Sequence, residues 1–206
     1  WSHAHRGRLR AQPPGARVRS SRRLRAGASA PRALAAAPDR IEFAIALGRT
    51  LRNRQFSNDA LDVLEPALKK HPKHAGLLSE TALTYHFQAE GMLRRGVTDA
   101  TVTLLFQEAK RLTERGVQIA PDDRQLRLLA AQSCFQLGEL DQAKAHAKVA
   151  AEKFADHPGG HTLVGKIAFQ EFVAHRRAAS AARRGSKTQK ESLDAAKLAR
   201  EEVDAT

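Results

Sequence analysis

Equivalent residues return along this chain every 34 positions. Ala82 follows Gly48, Tyr85 follows Leu51, Ala143 follows Ala109, and Val164-Gly165 follows Ala130-Ala131, each at that distance. In the second unit the interval stretches: Ala109 lies 49 after Ala60, and Pro121 lies 49 after Pro72. The register then resumes, with Ala131 standing 49 after Ala82. A single insertion of 15 residues, centred on Gly91 to Gly96, accounts for the jump without a loss of phase. Such a period belongs to repeat arrays, in which no unit can bury its apolar face alone and three or more must stack.

Within each unit the pattern is helical twice over. Order begins at Pro38-Asp39, where Asp39 can cap a helix and Glu42 completes a capping box that satisfies otherwise orphan N–H groups. Ile41, Ala44, Ile45, Leu47, Gly48 and Leu51 then recur at helical spacing. Ser57-Asn58-Asp59 breaks the pattern and supplies a new cap. A second helix carries Ala60, Leu61, Leu64, Ala67 and Leu68 and ends near His71-Pro72. Pro66 lies inside it, and an interior proline removes one backbone bond and should bend the helix. The insertion, near residues 90–104, is expected to lengthen two helices by roughly two turns, with Thr98 or Asp99 opening the second. Gly138 marks the turn of the third unit.

These residues resemble the tetratricopeptide-repeat (TPR) family, whose unit is a helix–turn–helix of about 34 residues. The family's Leu-Gly pair appears as Leu47-Gly48 and Val164-Gly165, and its first-helix aromatic as Tyr85, with Leu51 and Cys134 as substitutes. The small residue that opens the second helix is Ala60, Ala109 or Ala143. The later small residue is Ala67, Gly116 or Ala150, and the closing proline is Pro72 or Pro121. The early tryptophan is missing, with Ala44, Leu78, Arg127 and His161 in its place. Thr113 stands where a large apolar residue is usual, and the third unit's proline is displaced to Pro158. The resemblance covers residues 39–175. It implies an all-α, right-handed α-solenoid of about three to four units.

The resemblance also implies a binding groove lined by the first helices. The matching places are Glu42, Ile45, Arg49, Arg52 and Asn53 in unit one, and Ser79, Leu83, His86 and Phe87 in unit two. Unit three supplies Gln125, Leu128, Gln132, Phe135 and Gln136. This mixed apolar and amide surface suits a peptide with apolar anchors, although Leu83, Leu128 and Phe135 are also the kind of side chain that packs between helices. A carboxylate clamp of the chaperone-binding type does not fit. Its places hold Ile45, Arg49, Glu80, Gln125 and Leu129, of which only Arg49 has a suitable charge.

The formal net charge of +13 is unevenly spread. Residues 1–38 hold nine arginines and no acid, so the remainder is only +4. With almost no bulky apolar residue, this stretch cannot offset its ordering entropy and reads as a disordered arm. An organellar transit segment, an electrostatic arm for RNA or anionic lipid, and a non-functional leader all remain open. The chain begins at Trp1 and its methionine is Met92, which leads to the expectation of a fragment or a processed product. Residues 176–206 read as a basic linker or helix extension, then a short helix capped by Ser192, with Leu193, Ala196 and Val203 on one side.

No catalytic constellation stands out. His71/His74 and His157/His161 have spacings a metal could use, yet both pairs sit at turns beside prolines without cysteines nearby. Cys134, the single cysteine, occupies a packing position and leaves no internal disulfide to form. There is no phosphate-binding glycine loop and no nucleophile elbow. Arg183-Arg184-Gly185-Ser186 matches a basophilic kinase site, a short pattern that arises often by chance. No run approaches the roughly 18 apolar residues of a membrane span.

The expectation is therefore a non-catalytic scaffold, without cofactor or metal, that holds a protein or peptide partner. Its place is the cytoplasm unless residues 1–38 direct import. An RNA-associated repeat protein gripping phosphate through its basic segments is the second reading, with little support for base stacking because Trp1 is the one aromatic among those arginines. An accessory domain of a larger enzyme is the third.

Overall fold

The computed structural model describes residues 41–182, 185 and 187–205, and every regular element among them is helical. The first hairpin is α1 (Ile41–Asn53) with α2 (Ser57–Lys70), and the second is α3 (Ala75–Arg94) with α4 (Ala100–Ile119). The third is α5 (Arg124–Gln136) with α6 (Leu140–Lys153), and α7 (Gly159–Ala181) pairs with α8 (Lys187–Asp204). Each helix packs on the next. In addition α1 packs on α3, α3 on α5 and α5 on α7, while the backbones of the second helices stay apart. The chain is thus a solenoid, one layer of first helices backed by a layer of second helices. The expected arm, the cap at Asp39 and, apart from Gly185, the Arg183-Arg184-Gly185-Ser186 motif lie outside the described residues.

Small residues allow this stacking. Ala60, Ala109 and Ala143 are all fully buried, so each second helix can close on its partner. Larger side chains fill the gaps that remain. Leu64 and Leu77 sit in the first core, Leu78, Leu112 and Leu129 in the next, and Leu163, Val164 and Ile167 in the last. Burying a leucine of this kind stabilises the fold by roughly 1.5–3 kcal/mol. Thr113 is fully buried too, and its hydroxyl donates to the Lys110 carbonyl at 2.8 Å.

One turn is used three times. Two residues past α1, α3 and α5 stand Gln55, Gly96 and Gly138, with φ of 65°, 78° and 77°. In each, the following N–H reaches back five residues: Phe56 to Leu51, Val97 to Met92 and Glu139 to Cys134, at 2.9, 3.0 and 2.9 Å. This geometry corrects the expected cap of α2. Phe56, packed on the first core, holds the cap position and forms no side-chain cap bond, so Ser57 is already helical. The helix also runs through Pro66 without interruption, and that proline is exposed.

The insertion is spent on length. At 20 residues, α3 is seven longer than the 13-residue α1, and α4 is six longer than the 14-residue α2. The turn over residues 95–99 is two longer than that over 54–56, which completes the fifteen. Asp99 is the cap, accepting from the Thr101 N–H at 2.9 Å. Ala89, Val102 and Phe106 give the extended hairpin a core of its own, with Leu137 of the next unit packed on it.

Helix α7 continues past His175 to Ala181, and α8 starts at Lys187, five residues before the expected cap at Ser192. Lys144 of α6 ties both down, reaching Glu171 at 2.9 Å and Glu202 at 2.5 Å, and Lys148 meets Glu202 at 3.0 Å. These long-range pairs draw the end of the chain onto the repeats, which local cap chemistry alone could not reveal.

Candidate functional site: the layer of first helices

On α1, Glu42, Arg49 and Asn53 are exposed, and Ile45 is half-buried against the first core. Arg49 and Arg52 both point at Glu80 of α3, whose side chain is only 2% exposed. Arg49 donates through Nε to Oε2 at 3.1 Å, and Arg52 donates to Oε1 through Nε at 3.0 Å and Nη2 at 2.9 Å. The two arginines at this end thereby share one buried carboxylate within the protein.

On α3, Ser79 and His86 are buried, while Leu83 and Phe87 are partly exposed. Arg52 and Arg94 lie 6.0 and 5.6 Å from the centre of the Phe87 ring, within cation–π range. His86 Nδ1 stands 3.4 Å from Ser133 Oγ of α5, Nε2 stands 3.3 Å from Glu90, and the ring meets Phe106 edge-on at 5.1 Å. The hydrogen bond from His86 holds the Glu90 carboxyl below its usual range, helped by Arg94 and opposed by burial. Serine, histidine and glutamate in a row suggest a hydrolase. Ser133, however, is completely buried, so the row serves as a bridge between α3 and α5.

On α5, Gln125 and Gln136 are exposed and Gln132 is partly so. Leu128 and Phe135 pack their inner edges against the third core. Of the five clamp positions, Glu80 is occupied by arginines and Leu129 is buried.

The layer continues onto α7, which one further step of 34 residues reaches. Lys166, Phe169 and Gln170 lie 34 after Gln132, Phe135 and Gln136. Phe135 and Phe169 share a groove of about 580 Å³ with Gly165, Lys166, Gln170, Val173, Arg177 and Val203. A second cleft of about 500 Å³ lies where the lengthened α3 overhangs the first turn, between Phe87 and Arg94 on one side and Phe56 to Asp59 on the other.

Two of the turn histidines have structural roles. His74 caps α3, accepting from the Leu77 N–H at 3.3 Å, and His157 accepts from the Gly159 N–H at 3.1 Å. Among the described residues no three His, Cys, Asp or Glu side chains cluster as a metal site. Cys134 is fully buried, and burial pushes its thiol up to about 11. No described helix is long and apolar enough to cross a membrane.

Residues 106–167 match the model of the tetratricopeptide-repeat family. Among solved structures, the chain is similar to a thermophilic TPR protein of Thermus thermophilus, with a TM-score of 0.56 and 20% identity over 88% of this chain and 94% of the other. It is also similar to MamA, with a TM-score of 0.51 and 15% identity over 95% of this chain and 97% of that one. Comparison with curated proteins finds no match.

Proposed function

From a chain that has the tetratricopeptide-repeat fold, and whose residues 106–167 match that family, we propose a non-catalytic interaction scaffold that holds a peptide or protein segment along its first helices. The observation that carries this reading is the continuous layer α1–α3–α5–α7, along which apolar and amide side chains stay partly open to solvent. Leu83, Leu128 and Phe135 supply apolar surface, and Gln125, Gln132 and Gln136 can pair with the backbone of a bound segment. Arg49 and Arg52 are both held by Glu80 within the fold, and the amide and apolar part of the layer, from α3 onward, does the holding.

The test is a peptide selection on the full chain, followed by hydrogen exchange with and without a selected peptide. Protection on α3, α5 and α7, and weaker binding in Phe135→Ala, are expected. Protection confined to α2, α4 and α6 would refute the reading.

A further inference from the structure

We infer that the C-terminal end of the first-helix layer docks a partner segment that inserts an apolar side chain and carries carboxylates beside it. This rests on the interaction reading above and narrows it to one site and one ligand chemistry. Phe169 is 57% exposed. A lone exposed aromatic would mean little, but Phe135, Val173 and Val203 gather with it around one groove. The groove's volume, about 580 Å³, is in the range of a ligand pocket and ample for one large side chain.

Charge selects the occupant. The lining holds Lys166 and Arg177 and no carboxylate. Three acids of α7 and α8 are engaged elsewhere: Glu171 with Lys144, Glu202 with Lys144 and Lys148, and Asp204 with Arg200. Neither Lys166 nor Arg177 forms an ion pair among the described residues, in contrast to Arg49 and Arg52 at the opposite end of the layer. Along α7, Lys166, Phe169, Gln170, Val173 and Arg177 follow one another at helical spacing on a single face. The two cations therefore bracket the apolar stripe, about 16 Å apart along the axis at 1.5 Å per residue. An extended segment spans that distance in about five residues. The fitting partner is thus a short acidic segment with one large aliphatic or aromatic anchor between its carboxylates.

A random dodecapeptide library displayed on phage, selected on the full chain, supplies the probe. The selected pool should be rich in Asp and Glu around a large apolar residue. A synthetic peptide from it should lose affinity as salt rises, and lose at least about tenfold in Phe169→Glu and in the pair Lys166→Glu with Arg177→Glu. Charge reversal at Lys69, on α2, should leave binding unchanged. Thermal melting establishes that each variant folds, and Val173→Ser takes the place of Phe169→Glu if that one does not. A pool without acids, or binding indifferent to both α7 variants, overturns the inference. If such a pool still responds to Phe135→Ala, the broader reading survives; if no peptide binds the first-helix layer, both fall. Binding of an oligothymidylate in preference to every acidic peptide also overturns it.

Discussion

Gly48 of α1 lies so close to Leu64 of α2 that a Cβ at position 48 would stand 2.6 Å from the leucine Cγ. Leu64 is fully buried. Overpacking of this kind costs about 1–3 kcal/mol, against about 1 kcal/mol that alanine gains over glycine inside a helix. Gly48→Ala should therefore lower stability by up to about 2 kcal/mol in urea denaturation. Gly160→Ala should cost more, since its Cβ would meet the backbone nitrogen of Ala151 at 2.4 Å, which no rotamer change can relieve.

Gln55 occupies the left-handed position that Gly96 and Gly138 hold in the other two turns. A side chain there costs on the order of 1 kcal/mol. Gln55→Gly should raise the urea midpoint by an amount equivalent to about 0.5–1 kcal/mol, while Gly138→Ala should lower it by a similar amount. If both substitutions were neutral, the shared turn geometry would carry no energetic weight.

The repeat was legible because packing at a close helix crossing tolerates so few residues. Ala60, Ala109 and Ala143 mark it in the sequence and are buried without exception. The insertion was legible for the same reason, since the small packing residues on either side of it keep their phase. What escaped were features set by distant partners or by turn geometry. The burial of Glu80 depends on arginines 28 and 31 residues away, and no local pattern announces it. Ser57 has the composition of a cap, yet the turn at Gln55 gives that place to Phe56. The groove on α7 needed only one further step of 34 from Phe135 to Phe169. That step lay beyond the three units from which the groove was built.

Arg52 and Arg49 share Glu80 unequally, with side chains 12% and 55% exposed. Removing one partner of a buried pair leaves an uncompensated charge and typically costs 3–5 kcal/mol, whereas an exposed pair contributes about 0–1 kcal/mol. Arg52→Met should destabilise by about 2–4 kcal/mol, and Arg49→Met by less than about 1 kcal/mol. Equal losses in chemical denaturation would mean that burial does not divide the work between them.

Cys134 should be silent in the native protein. Burial is the main cause of its raised pKa of about 11, and the neighbouring Lys110 only partly offsets it. At pH 8 the thiolate fraction is small and the sulfur is out of reach, so an aromatic disulfide reagent should react only as fast as the fold opens. Urea that unfolds the chain should bring prompt stoichiometric labelling. Rapid labelling without denaturant would show that α5 and α6 separate locally.

The attachment of α8 should depend on acidity. Burial alone would raise the Glu202 pKa, but hydrogen bonds from Lys144 and Lys148 outweigh it and hold the carboxyl below its ordinary value of 4.5. Lys144 is raised above 10.5 in turn, its burial being overcome by hydrogen bonds to Glu171 and Glu202. A carboxyl with a depressed folded pKa stabilises the fold fully above its unfolded value and loses that contribution as pH falls through the folded one. Hydrogen-exchange protection across Lys187–Asp204 should thus hold near neutrality and fall at pH below about 4.5, ahead of the protection of α2. Glu202→Gln should already show the weakened state at neutral pH, with a flatter acid profile than the parent. If the two profiles superimpose, this carboxylate does not hold α8 in place.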